Sequence, residues 1–330
     1  MGTKVRLGRS VLLLLGVLSW VACSEKGGDT PSKDESRNER SDDDDAPNKK
    51  TKKKKSKKAD EDDAAAPKAD AVFTARDPQI GDKSEQTSKQ AMSMVVEVGG
   101  RKNELDELTI KEKVEEVVDV AQGRTAKIKV SYLKRSKRKS QGGKENTEVE
   151  PIAGKTYIVE DDGTGGPKVT SDDGSPVPPN ERKLVEKDFR RTFKAKTPSA
   201  DIEKALLAAK LEEGKRVSSA EAAFAAYFAE DDAGEDPGKS VDISDVKLVY
   251  RGIKGDRALF DIAFTMNVEE KRMVIMMPLK GQLEVRRKGV EPIAMTLKGP
   301  VEVDASKMPV PVQLTGELTM DLSETFTPGK

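Results

Sequence analysis

The chain has 330 residues, with 59 lysines and arginines against 59 aspartates and glutamates, so its formal charge is zero and no bulk electrostatic partner, nucleic acid included, is indicated. It holds no histidine and a single cysteine, which removes the usual general base, the commonest transition-metal ligand and every Ser-His, Cys-His or Cys/His zinc arrangement.

The N-terminus opens with Lys4, Arg6 and Arg9, followed by an apolar run from Val11 to Ala22 that ends at Cys23. About twelve apolar residues are too few to span a bilayer, which takes roughly twenty. A basic start, a short apolar core and a small residue before the cut describe a secretory signal over residues 1–22. The positions Trp20-Val21-Ala22-Cys23 resemble the end of a bacterial lipoprotein signal, with tryptophan where leucine is usual. That resemblance covers only the first ~23 residues. It implies cleavage before Cys23, acylation of its thiol and attachment to a membrane through the acyl chains. It also explains a lone cysteine in an exported chain. Ser24 stands where an aspartate goes with inner-membrane retention in such proteins, so the outer membrane of the cell envelope is the expected address.

Residues 23–77 are nearly devoid of large apolar side chains. Asp42–Asp45 is an acidic block, Lys49–Lys58 is almost all lysine, and Asp60–Asp63 is acidic again. Such a composition buries too little surface to offset its ordering entropy, so a disordered tether is expected. As a flexible chain it reaches roughly 40–50 Å. The lysine run reads as solvated tail.

A β-rich globular domain is expected over 78–330, divided into a first β half (78–178), helices (179–230) and a second β half (231–330). Thr125 to Leu133 alternates, with Ile128, Val130 and Tyr132 on one face. Asp161-Asp162-Gly163 and Asp172-Asp173-Gly174 are acidic turns. Pro179 opens a helix carrying Leu184, Val185 and Phe189. Ser199 can cap Ala200 to Leu211, and Ser218 or Ser219 can cap Ala220 to Ala229. Phe260, Ile262, Phe264, Met266 and Val268 then share one face of a strand, with Lys254-Gly255-Asp256 turning before it. Strands through Met273, Ile275 and Met277, through Ile293, Met295 and Leu297, and through Leu314 to Leu322 follow, with Glu269-Glu270-Lys271 as a turn. The expected fold is therefore α+β and mostly antiparallel β: two meanders forming a curved sheet or half-barrel, with a central helical segment.

Two repeats stand out. Gly123–Tyr132 matches Gly255–Phe264, and Pro151-Ile152-Ala153-Gly154 matches Pro278-Leu279-Lys280-Gly281, as two related sheet halves would. The finer repeat places Gly281, Gly299 and Gly316 at one position of a shared strand template. Glycine in mid-strand marks a bend, so these strands are expected to curve, with Pro300 at an edge or a bulge.

No spacing singles out a catalytic pair, and no cofactor or metal is expected. Gly163-Thr164-Gly165-Gly166 lacks the Gly-Lys-Ser/Thr ending of a phosphate loop. The acidic turns lack the alternating acids of a calcium loop. Methionine is the excess that invites a function: Met266, Met273, Met276, Met277 and Met295 fall in neighbouring strands. Methionine lines adaptable apolar surfaces and also fills core gaps. Met276 and Met277 are adjacent, so one of them faces away from the core. The basic stretch Lys134–Lys139 reads as a hairpin tip. Two functions fit: a non-catalytic envelope lipoprotein binding an apolar ligand or lipid on the curved sheet, or a structural or protein-interaction module of the envelope. The order of tail, sheet, helices and sheet is similar to that of charge-tailed lipoproteins of predatory and social proteobacteria, a likeness that carries no functional residues across.

Overall fold

The computed structural model describes residues 72–98, 101–190, 192–194, 198–229, 239–270, 273–304 and 312–329. The signal segment, Cys23 and the tether up to residue 71 lie outside them. The first meander runs β1 (Lys83–Val98), β2 (Arg101–Ala121), β3 (Arg124–Gln141), β4 (Lys144–Val149), β5 (Thr156–Asp161) and β6 (Pro167–Ser171). Three helices follow: α1 (Pro179–Phe189), α2 (Pro198–Ala208) and α3 (Ser218–Ala229). The second meander is β7 (Lys239–Lys254), β8 (Arg257–Glu270), β9 (Met273–Arg286), β10 (Glu291–Asp304) and β11 (Val312–Thr327).

The two meanders are one sheet. Its eleven antiparallel strands run in the order β6-β5-β3-β2-β1-β11-β10-β9-β8-β7, with β4 paired along β3. The first and last strands close the join, from Lys83 opposite Thr327 to Val98 opposite Val312. Residues directly opposite in an antiparallel ladder share a face. The buried set of β8 (Ala258, Phe260, Ile262, Phe264, Met266, Val268) therefore continues through Leu283 and Val285, Met295 and Leu297, and Leu318 and Met320. We call this the inner face.

The helices dock at the two flanks of the inner face. Val185 and Phe189 of α1 pack with Val130, Tyr132, Tyr157 and Val159. α3 packs on β7, and its Phe228 ring stacks on Phe264 at 4.7 Å. Glu221, in the first turn of α3, receives the Arg216 guanidinium and the Leu248 N–H, which ties the helix start to the sheet. Helices α2 and α3 begin at Pro198 and Ser218, slightly ahead of the expected Ala200 and Ala220.

The three template glycines lie on the inner face of adjacent strands. A Cβ on Gly281 would strike the Thr296 carbonyl oxygen, one on Gly299 that of Pro278, and one on Gly316 that of Ser93. Each glycine lets the neighbouring backbone close in where a side chain would hold it off, and that is how the inner side of the sheet tightens into a curve.

Several expectations need correction. Pro300 lies in the interior strand β10, at neither an edge nor a bulge. Register places it opposite Pro278, where the β9–β10 ladder lapses between Lys298↔Lys280 and Glu302↔Met276. Two prolines facing each other leave no N–H stranded. Residues 134–139 are no hairpin tip: they extend β3, and the turn falls at Gly142 and Gly143. The second repeat match also fails structurally, because Pro151–Gly154 is a turn while Pro278–Gly281 lies inside β9. The globular body begins before residue 78. Phe73 is buried and stacks on Phe260 at 6.4 Å, and Thr74 exchanges backbone hydrogen bonds with Arg287 and Gly289.

Gly281→Ala is expected to destabilise the protein by about 1–3 kcal/mol through forced separation of β9 and β10. Urea unfolding measures it, and a change within about 0.5 kcal/mol would contradict the close approach.

Candidate functional site: the inner face of the sheet

The inner face changes character from one side of the sheet to the other. One cross-strand row reads Arg135, Lys111, Ser88, Leu322, Met295, Leu283, Phe260, Tyr250 from β3 to β7. The next row reads Lys137, Thr109, Gln90, Met320, Leu297, Gly281, Ile262, Leu248. In both rows the three residues on β3, β2 and β1 are polar or charged. The five on β11 to β7 are apolar, apart from the glycine.

The apolar side holds three of the five methionines singled out by sequence. Met266 and Met277 are fully buried and directly opposite each other, and Met295 is buried on β10 in the row of Leu283 and Phe260, six residues further along the sheet. Met276 is on the outer face and 41% exposed, so it does not join this set. Strand alternation is the reason: it must point opposite to Met277. Met273 opens β9, and its side chain lies outside what the structure describes. Met92, Met94 and Met320, which sequence reasoning did not single out, are buried on the same face.

The polar side was missed altogether. β1 buries Ser84, Gln86, Ser88 and Gln90, and β2 buries Thr109 and Glu115. On β2 the apolar Leu108, Ile110 and Val114 lie on the outer face, opposite this polar set, and β1 turns apolar side chains inward only from Met92 on, so apolar alternation does not point to it. The one cue is uncharged Ser and Gln at every second place, between Glu85, Thr87 and Lys89. Several of these polar atoms are shut from solvent without a hydrogen-bond partner: Gln90 Oε1, Thr109 Oγ1 and one oxygen each of Glu107 and Glu324. Leaving such atoms unpaired costs about 1–3 kcal/mol each, so a face that carries several is built for something other than stability.

Most charges on this side are matched. Lys137 pairs with Glu107 at 2.6 Å and Lys113 with Glu115. Arg135 pairs with Asp188 of α1, which also accepts the Tyr132 hydroxyl at 3.2 Å. Lys111 is the exception, for no carboxylate among the described residues forms an ion pair with it. Burial, then the nearby Arg135 guanidinium, pull its pKa from 10.5 down to about 7; Lys187 and Lys113 add to this, and Glu150 opposes it.

Towards the chain termini the inner face ends in a charged floor. Arg286 pairs with Glu291 and lies 3.7 Å from the centre of the Phe326 ring. Arg76 holds Asp82 through two 2.6 Å hydrogen bonds. Burial works against the Asp82 carboxylate, but Arg76 and the N–H groups of Gly329 and Gln79 outweigh it and keep its pKa below the ordinary value. Glu324, which accepts from Gln86 at 3.1 Å, goes the other way. Burial, then Glu291, push its pKa well above the carboxylate range.

Elsewhere, an open cleft of about 600 Å³ lies between β5, β6 and the start of α1. Its Glu181 is taken up by Lys155 and Tyr157, both at 2.7 Å. Among the described residues no cluster is arranged to hold a metal ion, and no helix is long and apolar enough to cross a membrane.

No family model matches the chain, and no curated protein does. Among solved structures, one of lipovitellin, titled for its lipid–protein interactions, is aligned over 76% of this chain at 6% identity with a TM-score of 0.35. This chain spans about a quarter of that lipovitellin chain (26%). The translocator domain of the autotransporter NalP from Neisseria meningitidis covers 74% of this chain, which in turn covers 88% of that domain, at 8% identity with a TM-score of 0.18. At such TM-scores neither likeness carries an argument.

The Lys111 assignment has a testable sign. The unfolded chain keeps this ammonium protonated up to about pH 10.5, while the folded protein releases the proton near pH 7. The burial penalty is therefore full below pH 7 and fades as pH rises towards 10.5. Lys111→Met is expected to stabilise the ligand-free protein by about 1–2 kcal/mol at pH 6, solvent screening of the half-buried ammonium included, and by much less at pH 10. Thermal melts across that range measure it, and a pH-independent gain would contradict the assignment.

Proposed function

We propose that this chain is a non-catalytic lipoprotein of the cell envelope, anchored through acyl chains on Cys23, that binds an apolar ligand, a lipid, on the inner face of its curved sheet. The observation that carries this reading is the face itself. Apolar side chains dominate it over β11, β10, β9 and β8, broken only by the template glycines, while α1 packs at one side against β3, β5 and β6 and α3 at the other against β7 and Phe264 of β8. Methionine is frequent there, and its flexible thioether adapts to chains of varying shape. The expected tether of residues 23–77 would let the body work some distance from the membrane that holds it.

A second reading, an interaction module of the envelope, is favoured by one feature. β4 pairs only with β3 and is exposed along its whole length, with Val149 at 63% exposure. An edge of that kind can add a strand from a partner.

The lipid reading is tested on protein purified from membranes. Extraction and mass spectrometry should return a lipid in addition to the acyl chains on Cys23. An apolar fluorescent probe should bind, and Met295→Trp, which fills the inner face, should weaken it about tenfold, equivalent to ~1.4 kcal/mol. Met276→Lys, on the outer face, should leave binding unchanged. Absence of both lipid and probe binding would overturn the reading, as would equal losses in the two variants.

A further inference from the structure

Within the lipid-binding reading, on which this inference rests, the polar side of the inner face says which kind of lipid. We propose that the ligand is an anionic glycerophospholipid whose phosphate sits against the Lys111 ammonium, with its acyl chains lying across β11, β10, β9 and β8.

Charge complementarity is the first argument. Around Lys111 the cations are Lys111, Lys113, Arg135, Lys137 and Lys187, and the carboxylates are Glu107, Glu115, Glu150 and Asp188. Lys113, Arg135 and Lys137 each have a carboxylate partner, and Lys111, which stands beside Arg135 in the ladder, has no ion-pair partner among the described residues. Lys111 is half-buried, and a cation partly withdrawn from water beside other cations carries a cost that an anion in contact with it removes. A neutral head group would leave that charge in place, and a zwitterionic one would offer the same phosphate while bringing a further cation among the existing ones.

The second argument is extent. The polar stripe spans β1, β2 and β3, roughly 10 Å across at the ordinary strand spacing. Beside Lys111 it offers Gln90 Oε1 and Thr109 Oγ1, both buried and without partners, with Ser88 directly opposite Lys111. A fatty-acid carboxylate meets one cation and nothing more. A phosphate that carries a glycerol meets the cation and also supplies hydroxyl groups to the unpaired amide and hydroxyl.

The third is register. Ser88, which faces Lys111, faces Leu322 on its other side, and Met295 and Leu283 continue the row. The head-group position and the apolar strands therefore lie on one continuous surface. From Lys111 to Phe260 is five strand steps, roughly 24 Å. An amphiphile laid along such a row has each part against matching chemistry.

The test is displacement of the apolar probe from the full-length protein by three competitors: phosphatidylglycerol, phosphatidylcholine with the same acyl chains, and oleate. Phosphatidylglycerol should displace the probe at a concentration about tenfold or more below either of the others. Lys111→Gln should bring phosphatidylglycerol and phosphatidylcholine to within twofold of each other, and Lys111→Arg should restore much of the difference. Lys89→Gln, which removes an exposed charge from the opposite face of the same region, should keep it. Near-UV circular dichroism confirms that each variant is folded. Equal displacement by the two phospholipids overturns the proposal, as does a preference that survives Lys111→Gln or is lost in Lys89→Gln. Oleate matching phosphatidylglycerol would replace the phosphate with a carboxylate and overturn it too. No probe binding by the unaltered protein would overturn this proposal and the lipid reading together, whereas binding without a head-group preference overturns this proposal alone.

Discussion

Pairing between the first and last strands is the constraint on which the rest of the structure depends. β1 is a sixteen-residue strand, and it meets β11 along its full length. Without that seam the two meanders would be separate small sheets, each with a long open edge. With it, side chains contributed by the start of the domain lie beside side chains from its end, in register. Ser88 beside Leu322 and Gln90 beside Met320 are the points where the polar and apolar parts of the inner face touch. The seam therefore creates the site as well as the fold. Pairing at such sequence separation also carries a large loop-closure cost, which a long uninterrupted ladder offsets.

Curvature is the second requirement, and it comes from absence of side chains. Gly281, Gly299 and Gly316 step across β9, β10 and β11, each at a place where a neighbouring carbonyl occupies the room a Cβ would need. All three are on the inner face, so the tightening is one-sided and the face becomes the inside of the bend. The helices then have flanks to rest on: α1 against the aromatic cluster of Tyr132 and Tyr157, and α3 against Phe264. Stability alone would have filled β1 and β2 with valine and leucine. Glutamine, threonine and an unpaired lysine stand there instead, at a cost of several kcal/mol in unsatisfied polar groups. That cost makes sense if something other than the protein completes those contacts.

The sequence shows the apolar half of this architecture and conceals the polar half, for a physical reason. Phe260 to Val268 alternates because one side meets apolar neighbours and the other meets solvent, and that contrast is what a period of two records. The glycine template is visible because three strands bend at the same place. The pair Met276 and Met277 announces that one must face outward, although not which. β2 carries the reverse contrast here, with Leu108, Ile110 and Val114 outward and Thr109, Lys111 and Lys113 inward, and β1 from Ser84 to Gln90 is polar on both sides. Residues 134–139 look like a loop because they are basic. Arg135 is nevertheless buried against Asp188, an acid that sits 53 residues away in the chain and cannot be linked to it by reading along the sequence. Phe73 was hidden differently: it is a single aromatic at the end of a charged tract, and its partner Phe260 lies far along the chain. What local pattern can show is the half of a site whose neighbours are chemically unlike water.

The central claim is that lipid occupies one face of the sheet. Photo-methionine incorporation tests it directly, because Met92, Met94, Met266, Met277, Met295 and Met320 are buried on the inner face while Met276 is exposed on the outer one. After irradiation of the protein in native membranes, peptide mapping should find lipid adducts at inner-face methionines, Met295 and Met320 foremost, and none at Met276. Adducts at Met276 with the inner-face positions unmodified would contradict the account.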